Sequence, residues 1–395
     1  MGSPLCLGLL FFLCPLNSPI GGEGGLQKNM PQAKPDLESS ARIKVVGPGG
    51  SGNHAVTRMV EHKIHGVDFI AINCDAQDLH HAKANKKLHV GKNLTRGLGA
   101  GMNPLIGRQA AEENRDEIHE ALKGADMVFV VGGMGGGTFS GAAPVVAEVA
   151  KNSGALTIAV ATTPFTFEGT QRMRIAEEGI AQLKERVDAL IKIPNDNLMK
   201  IITRETSLLS AFDMCDEVLR QAVQGISDLI TLPGIVNVDF ADIRAILQDA
   251  GSALMGVGVA AGDDRAVEAA KNAVNSPLLD LSIDGARGVL FNISGGPDLT
   301  MWEINEAAKV ITENVDKEAK IIFGAVHDER LKKGEVKITV IATGFPHETR
   351  KEERPEVKRM SVFAEDLIKR ESPASADEKQ DEWDAVPAFL RRNKK

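Results

Sequence analysis

Three glycine-rich turns, each placed beyond an apolar run, constrain this chain more than any other feature. The first, Gly47-Pro48-Gly49-Gly50-Ser51-Gly52, ends the apolar run at 42–47 and leads into helical spacing over 53–63. It matches GxGxxG, and Asp75 closes the next apolar run (67–74) about 20 residues on, the spacing of a dinucleotide fingerprint. The second gathers Gly132, Gly133, Gly135, Gly136, Gly137 and Gly141 around Thr138 and Ser140, after ADMVFVV at 125–131. The third is Gly97-Leu98-Gly99-Ala100-Gly101. Such turns present backbone N–H groups to an anion at a helix N-terminus. One suits a pyrophosphate, whereas three on one sheet edge suit a nucleoside triphosphate. GxxxxGK[ST] is absent, which excludes a P-loop NTPase and leaves the phosphates to backbone dipoles and Mg²⁺.

The periodicity around these turns predicts an α/β fold. Strands at 42–47, 67–74, 125–131 and 155–162 alternate with helices at 53–63, about 105–123 and 142–153, which implies a parallel sheet covered on both faces. From 205 to 231 apolar residues including Leu208, Phe212, Leu219 and Ile226 recur at helical spacing, so one long amphipathic helix is expected, ended by Pro233-Gly234. Strand candidates at 252–260, 288–294, 319–326 and 336–344, with helices at about 264–275 and 302–315, form a smaller α/β domain. The expected organisation is a parallel-sheet nucleotide-binding domain (42–204), joined by a central helix (205–231) to that second domain (232–345). Residues 1–41 read as a disordered extension. PLCLGLLFFLC at 4–14 resembles a signal-peptide core, but no Lys or Arg precedes it, no A-x-A follows, and it is too short to span a bilayer. The working chain is expected to begin near Met30. Residues 346–382 are charge-dense and read as a disordered linker, and 383–395 gather Trp383, Val386, Phe389 and Leu390 beside four cations as a short docking peptide.

Composition closes off several function classes. The net charge is −8 and aromatics are 4% with no Tyr, so neither bulk charge nor stacking points to nucleic acid. Four cysteines without a CxxC pair exclude a disulfide scaffold and fit a reducing cytoplasm. His62-x-x-His65 has no carboxylate or Cys at a familiar spacing to complete a tetrahedral set, so no metal site is expected and these histidines read as a solvated helix face.

Eight segments then carry a family resemblance: DAQ (75–77), GLGAGMNP (97–104), GMGGGT (133–138) with GAAP (141–144), PFTFEG (164–169) with Arg172, IPND (193–196), NVDFAD (237–242) and PAFLRR (387–392). The chain resembles the FtsZ family, tubulin-related bacterial cell-division GTPases, over about 42–345 and again in the tail. The resemblance implies that Gly49, Gly50, Ser51, Gly52 and Asn53 hold the α and β phosphates of GTP or GDP, with Asp75 among the nucleotide contacts. Gly99, Ala100 and Gly101 would sense the γ-phosphate, and Gly135, Gly136, Gly137 and Thr138 would wrap the phosphates. Glu168 and Arg172 would reach the ribose, and Asn195 and Asp216 would read guanine. Asn237, Asp239 and Asp242 would enter the pocket of the next subunit, polarise the attacking water and help hold Mg²⁺. Head-to-tail contacts of that kind generate filaments. The implied role is a division ring at midcell in the cytoplasm. Membrane-tethering and regulatory division proteins would read the 383–395 peptide, and the chain itself would not insert into the membrane.

The chain departs from the family pattern at several points. Phe139 and Ser140 interrupt the GGGTGTG signature, His54 stands where Asn is usual, and Pro48 removes a loop N–H. If position 139 needs φ > 0, Phe139 strains the backbone by about 1–3 kcal/mol and its replacement by Gly improves GTP binding. The other arrangement has the ring in a pocket beneath the loop. Two other functions compete: a nicotinamide-dependent oxidoreductase built on GxGxxG and Asp75, and a nucleotide-binding homologue with weak hydrolysis.

Overall fold

The computed structural model describes residues 41–345 apart from 201, 203, 204, 233, 277–282, 314, 329 and 333; the extension up to residue 40, the linker and the docking peptide lie outside the described residues. The first half alternates strands and helices: β1 (Ile43–Pro48), α1 (Gly49–Glu61), β2 (Val67–Asn73), α2 (Ala76–His81), β3 (Lys86–His89), α3 (Lys92–Thr95), α4 (Pro104–Glu113), α5 (Arg115–Leu122), β4 (Met127–Gly133), α6 (Gly137–Asn152), β5 (Leu156–Thr163), α7 (Thr170–Lys184), β6 (Ala189–Pro194) and α8 (Asn195–Leu198). The central helix α9 (Leu208–Thr231) follows. The second half comprises β7 (Gly234–Val236), α10 (Phe240–Leu247), β8 (Gly251–Ala261), α11 (Arg265–Val274), β9 (Gly288–Gly295), α12 (Met301–Thr312), β10 (Lys320–His327) and β11 (Glu335–Thr343).

Among the described residues the strands form one sheet, in the order β3-β2-β1-β4-β5-β6-β8-β11-β9-β10-β7. From β3 to β6 every pair is parallel, so all the strand C-termini reach one edge. The two halves are continuous at β6 and β8, which pair in parallel over three residues (Ala189↔Gly251 to Ile191↔Ala253). Beyond β8 the sheet is mixed: β11 runs antiparallel to both β8 and β9.

Burial explains the strand composition. Val45, Val46, Val128, Phe129, Val130 and Val131 are all fully buried, as expected of a sheet with helices on both faces. On one face α1 and α9 seal the core through Met59, Leu219, Val223 and Ile226, and α4, α5 and α6 cover the other. Each such side chain contributes about 1.5–3 kcal/mol on burial. The helix expected over 105–123 is two helices. Asn114 breaks it at φ −109°, ψ 25°, ending α4 and opening α5. Its side chain accepts from the Gly91 N–H, 23 residues away, at 2.9 Å and donates to nearby Glu117 at 3.0 Å, so side-chain bonds accompany the break.

Candidate functional site

β1 and β4 are neighbours, so the turns beyond them open at the same sheet edge. Ser51 stitches the two turns together. Its Oγ accepts from the Gly133 N–H at 2.9 Å and lies 3.3 Å from the Gly133 carbonyl. Both following helices begin without a side-chain cap, α1 after Pro48 and α6 after Gly136. Their first N–H groups therefore lack intrahelical partners and form a cationic end. Gly135, at φ +92°, carries the turn into α6, and its N–H is held by Ser140 Oγ at 3.0 Å. Gly137 serves close approach: a Cβ there would lie 2.7 Å from the Asn103 nitrogen and 3.0 Å from Ala100 Cβ.

These turns border a cleft of about 580 Å³. Gly50, Ser51, Gly136, Gly137 and Thr138 line its phosphate-like end, and Glu168, Arg172, Asn195 and Asp216 line the rest. Glu168 is ion-paired to Arg172 and accepts from the Phe165 N–H at 2.9 Å. Asn195 is 5% exposed, and its Oδ1 has no hydrogen-bond partner. Asp216, projecting from α9, is pushed up to about 6 because burial disfavours its charge. An acceptor without a partner beside a desolvated carboxylate calls for a ligand with a row of donors. Guanine N1–H and its exocyclic amine supply such a row, and adenine lacks it. Leu209 and Phe212 give the cleft an apolar wall. Cys215 also lines it, but burial pushes the thiol up to about 12, so it carries no nucleophilic thiolate.

The structure sorts the expected residues into several groups. Gly50, Ser51, Gly136, Gly137, Thr138, Glu168, Arg172, Asn195 and Asp216 meet in the cleft, with Gly49, Gly52 and Gly135 in the turns that shape it. Gly99, Ala100 and Gly101 do not line the cleft; Ala100 packs against Gly137 at the start of α6, and Gly99 lies beside Asp75. Asn53 is turned away: it is 1% exposed and donates to Asp78 at 2.9 Å. His54, the next residue, faces the cleft in its place, together with Phe212, which the sequence shows only as part of a helical stripe. Asp75 caps α2, accepting from the Gln77 and Asp78 N–H groups at 2.9 and 3.2 Å, and does not line the cleft. That leaves the dinucleotide reading without its ribose carboxylate.

Phe139 corrects an expectation. It lies inside α6, is absent from the positive-φ residues and is 2% exposed. Its ring fills the space above Gly132, where a Cβ would meet it at 2.5 Å. No strain exists for a glycine to relieve, because the turn's left-handed position is Gly135 and the helix has begun by residue 139.

Asn237, Asp239 and Asp242 lie at the other end of the central helix. Asp216 is in the cleft, and α9 runs a further fifteen residues to Thr231, about 22 Å at 1.5 Å per residue, before the chain turns toward them. All three are exposed. Asn237 Oδ1 accepts from the Gly234 N–H at 2.7 Å, whereas the Asp239 and Asp242 carboxylates make no side-chain bond.

Among the described residues no group of three His, Cys, Asp or Glu side chains is placed to hold a metal ion, and no helix is long and apolar enough to cross a membrane. The donors at the phosphate-like end are N–H groups and hydroxyls, which fit an anion and offer no carboxylate to a divalent cation.

Comparison with known proteins places the chain in a family. Residues 42–203 match the Tubulin/FtsZ family GTPase domain, and 251–346 match the FtsZ family C-terminal domain. An FtsZ dimer from M. jannaschii superposes with a TM-score of 0.75 at 47% identity, covering 78% of this chain and 89% of that one. A point mutant of that FtsZ gives the same identity and TM-score, with 92% of its chain covered. CetZ2 from Haloferax volcanii shares the fold at a TM-score of 0.67 and 21% identity, over 78% of this chain and 95% of that one. With two domain models in series and a 47%-identical relative spanned over most of its length, the chain belongs to the FtsZ family of tubulin-related, guanine-nucleotide-binding GTPases.

Proposed function

We propose that this protein binds GTP with Mg²⁺ in the cleft and hydrolyses it only when a second copy docks head to tail. The observation that carries this reading is a division of labour across α9. The phosphate-like end offers N–H groups and hydroxyls but no base among Gly50, Ser51, Gly136, Gly137 and Thr138. Two carboxylates without partners, Asp239 and Asp242, stand exposed beyond the far end of the helix. Placed over the γ-phosphate of the neighbouring copy, they would orient the attacking water and take its proton, with Asn237 shaping the loop. Within the cleft, the α1 and α6 N-termini would hold the phosphates, Glu168 and Arg172 the ribose, and Asn195 and Asp216 the base. Mg²⁺ would neutralise phosphate charge as hydrolysis proceeds.

Such a contact is heterologous and propagates into filaments. The M. jannaschii relative is described as a dimer, which supports self-association. We assign these filaments to the division ring at midcell in the cytoplasm, with the 383–395 peptide docking to membrane-tethering and regulatory division proteins.

The test is GTP turnover per molecule against protein concentration, alongside thermal shifts with GTP, ATP and NAD. Turnover should climb steeply with concentration, and GTP alone should raise the melting temperature. Full turnover in a dilute monomer would refute the shared site, and stabilisation by NAD in place of GTP would refute the nucleotide.

A further inference from the structure

Backbone donors alone leave one charge uncompensated beside the first glycine turn, in the cavity adjoining the cleft. Asp78, on α2, stands against the first glycine turn: a Cβ on Gly50 would lie 3.6 Å from Asp78 Oδ2. That oxygen accepts from Asn53 Nδ2 at 2.9 Å and Asn73 Nδ2 at 2.6 Å, both neutral donors. A carboxylate in this position repels a bound phosphate unless a cation covers it. His54 is placed to do so, with Nε2 3.5 Å from Asp78 Oδ1. The same ring lines both the nucleotide cleft and an adjoining cavity of about 370 Å³.

The charged groups around the ring favour its protonation. α2 contributes Asp78 and His81, and α9 contributes Asp213 and Asp216. Arg58 and Glu61 follow along α1 with His62 just past its end, and Glu168 and Arg172 stand across the cleft. Arg58 is engaged by Asp213 at 3.0 Å and Glu217 at 3.6 Å. The hydrogen bond to Asp78 raises His54 above the ordinary imidazole value despite partial burial, with Asp216 adding to the rise, and His54 holds Asp78 below the usual carboxylate range.

We propose that His54 is a proton-linked positioning residue for the nucleotide: as imidazolium it covers Asp78 with one ring nitrogen and turns the other N–H to the phosphates. The proposal rests on the guanine-nucleotide reading of the cleft. Loss of the proton bares Asp78 beside the phosphates, so nucleotide affinity falls as pH rises past the raised His54 value. Asp216 acts in the opposite sense, weakening binding as pH drops through about 6. The His54 side chain is 69% exposed, so solvent keeps the effect modest, about fivefold in affinity.

The test measures GDP binding to the full chain from pH 7 to 9 for the wild type, His54→Asn and His54→Lys, with melting temperatures taken on the same samples. The wild type should weaken about fivefold across the range. His54→Asn should be weaker at pH 7 and flat, and His54→Lys flat with its pH 7 affinity retained. A purely structural role would shift affinity without changing the pH profile. Identical profiles for the wild type and His54→Asn would overturn the proposal. A folded wild type that binds no GDP at any pH would overturn the nucleotide reading, and this inference with it.

Discussion

Helix α12, in the second half of the sheet, and helices α1 and α6, in the first, begin differently, and the difference marks where a ligand belongs. In the second half α12 begins with a closed capping box: Thr300 Oγ1 accepts from the Glu303 N–H at 3.2 Å, and Glu303 accepts from the Thr300 N–H at 2.8 Å. Glu303 also receives Arg265 Nε at 2.7 Å, and Asp298 receives Arg265 Nη1 at 2.6 Å, so this helix start satisfies itself. In the first half α1 and α6 begin on Pro48 and Gly136 with no cap. Their donors are held open at the cleft, beside an Asn195 acceptor that no protein group satisfies. One sheet thus carries a helix start closed by its own side chains, at α12, and two left open toward the cleft, at α1 and α6.

The sharpest challenge to that contrast is Phe139, which holds the open turns from beneath. Phe139→Gly should lower stability by about 4 kcal/mol, from lost burial and helix propensity, without any gain in GDP affinity. Chemical denaturation and nucleotide titration on the same variant check this, and an increase in affinity would restore the strained-loop picture. On the proposed shared site, in which the carboxylate would serve another copy's cleft, Asp242→Ala should reduce GTP turnover about a hundredfold and leave GTP binding by the monomer unchanged. Steady-state turnover and equilibrium binding separate the two effects, and a parallel loss of both would place Asp242 in its own cleft.

Smaller effects sharpen the contrast. Asp216 binds its proton more tightly in the folded chain than the ordinary aspartate value of 3.8, so the ligand-free fold loses stability as pH rises from 3.8 to about 6. As the proposed reader of guanine, Asp216 would act in its ionised form, so nucleotide affinity should run the other way. At pH 5, with about one Asp216 in ten ionised, GDP should bind about tenfold more weakly than at pH 7.5. Titration of Asp216→Asn provides the baseline, since this part of the pH dependence should vanish there. Thr300→Ala should cost about 1 kcal/mol of stability through its lost cap and leave GDP affinity unchanged. Weakened binding in that variant would mean that the halves are coupled more tightly than their helix starts suggest.

Local pattern alone determined the strand–turn–helix units at β1–α1 and β4–α6 and the long stripe of α9, because glycine placement and apolar spacing act over a few neighbouring residues. Motifs from separated stretches carried the family, and with it the cleft residues Glu168, Arg172, Asn195 and Asp216. Tertiary structure decided what local pattern does not encode. β3 is four residues of KKLH at a sheet edge, and β7 is three residues paired to β10; neither has enough period to stand out. Asn114 splits a continuous helical pattern only because Gly91 comes to it from 23 residues away. Asn53 and His54 are adjacent in the first turns of α1, yet Asp78 on a different helix draws the first inward as a buried donor and leaves the second at the cleft. Phe139 reads as an intruder in a phosphate loop until α6 is seen to have already begun, with the space above Gly132 waiting for its ring. Orientation and burial depend on partners distant in sequence, and only the packed chain brings those partners together.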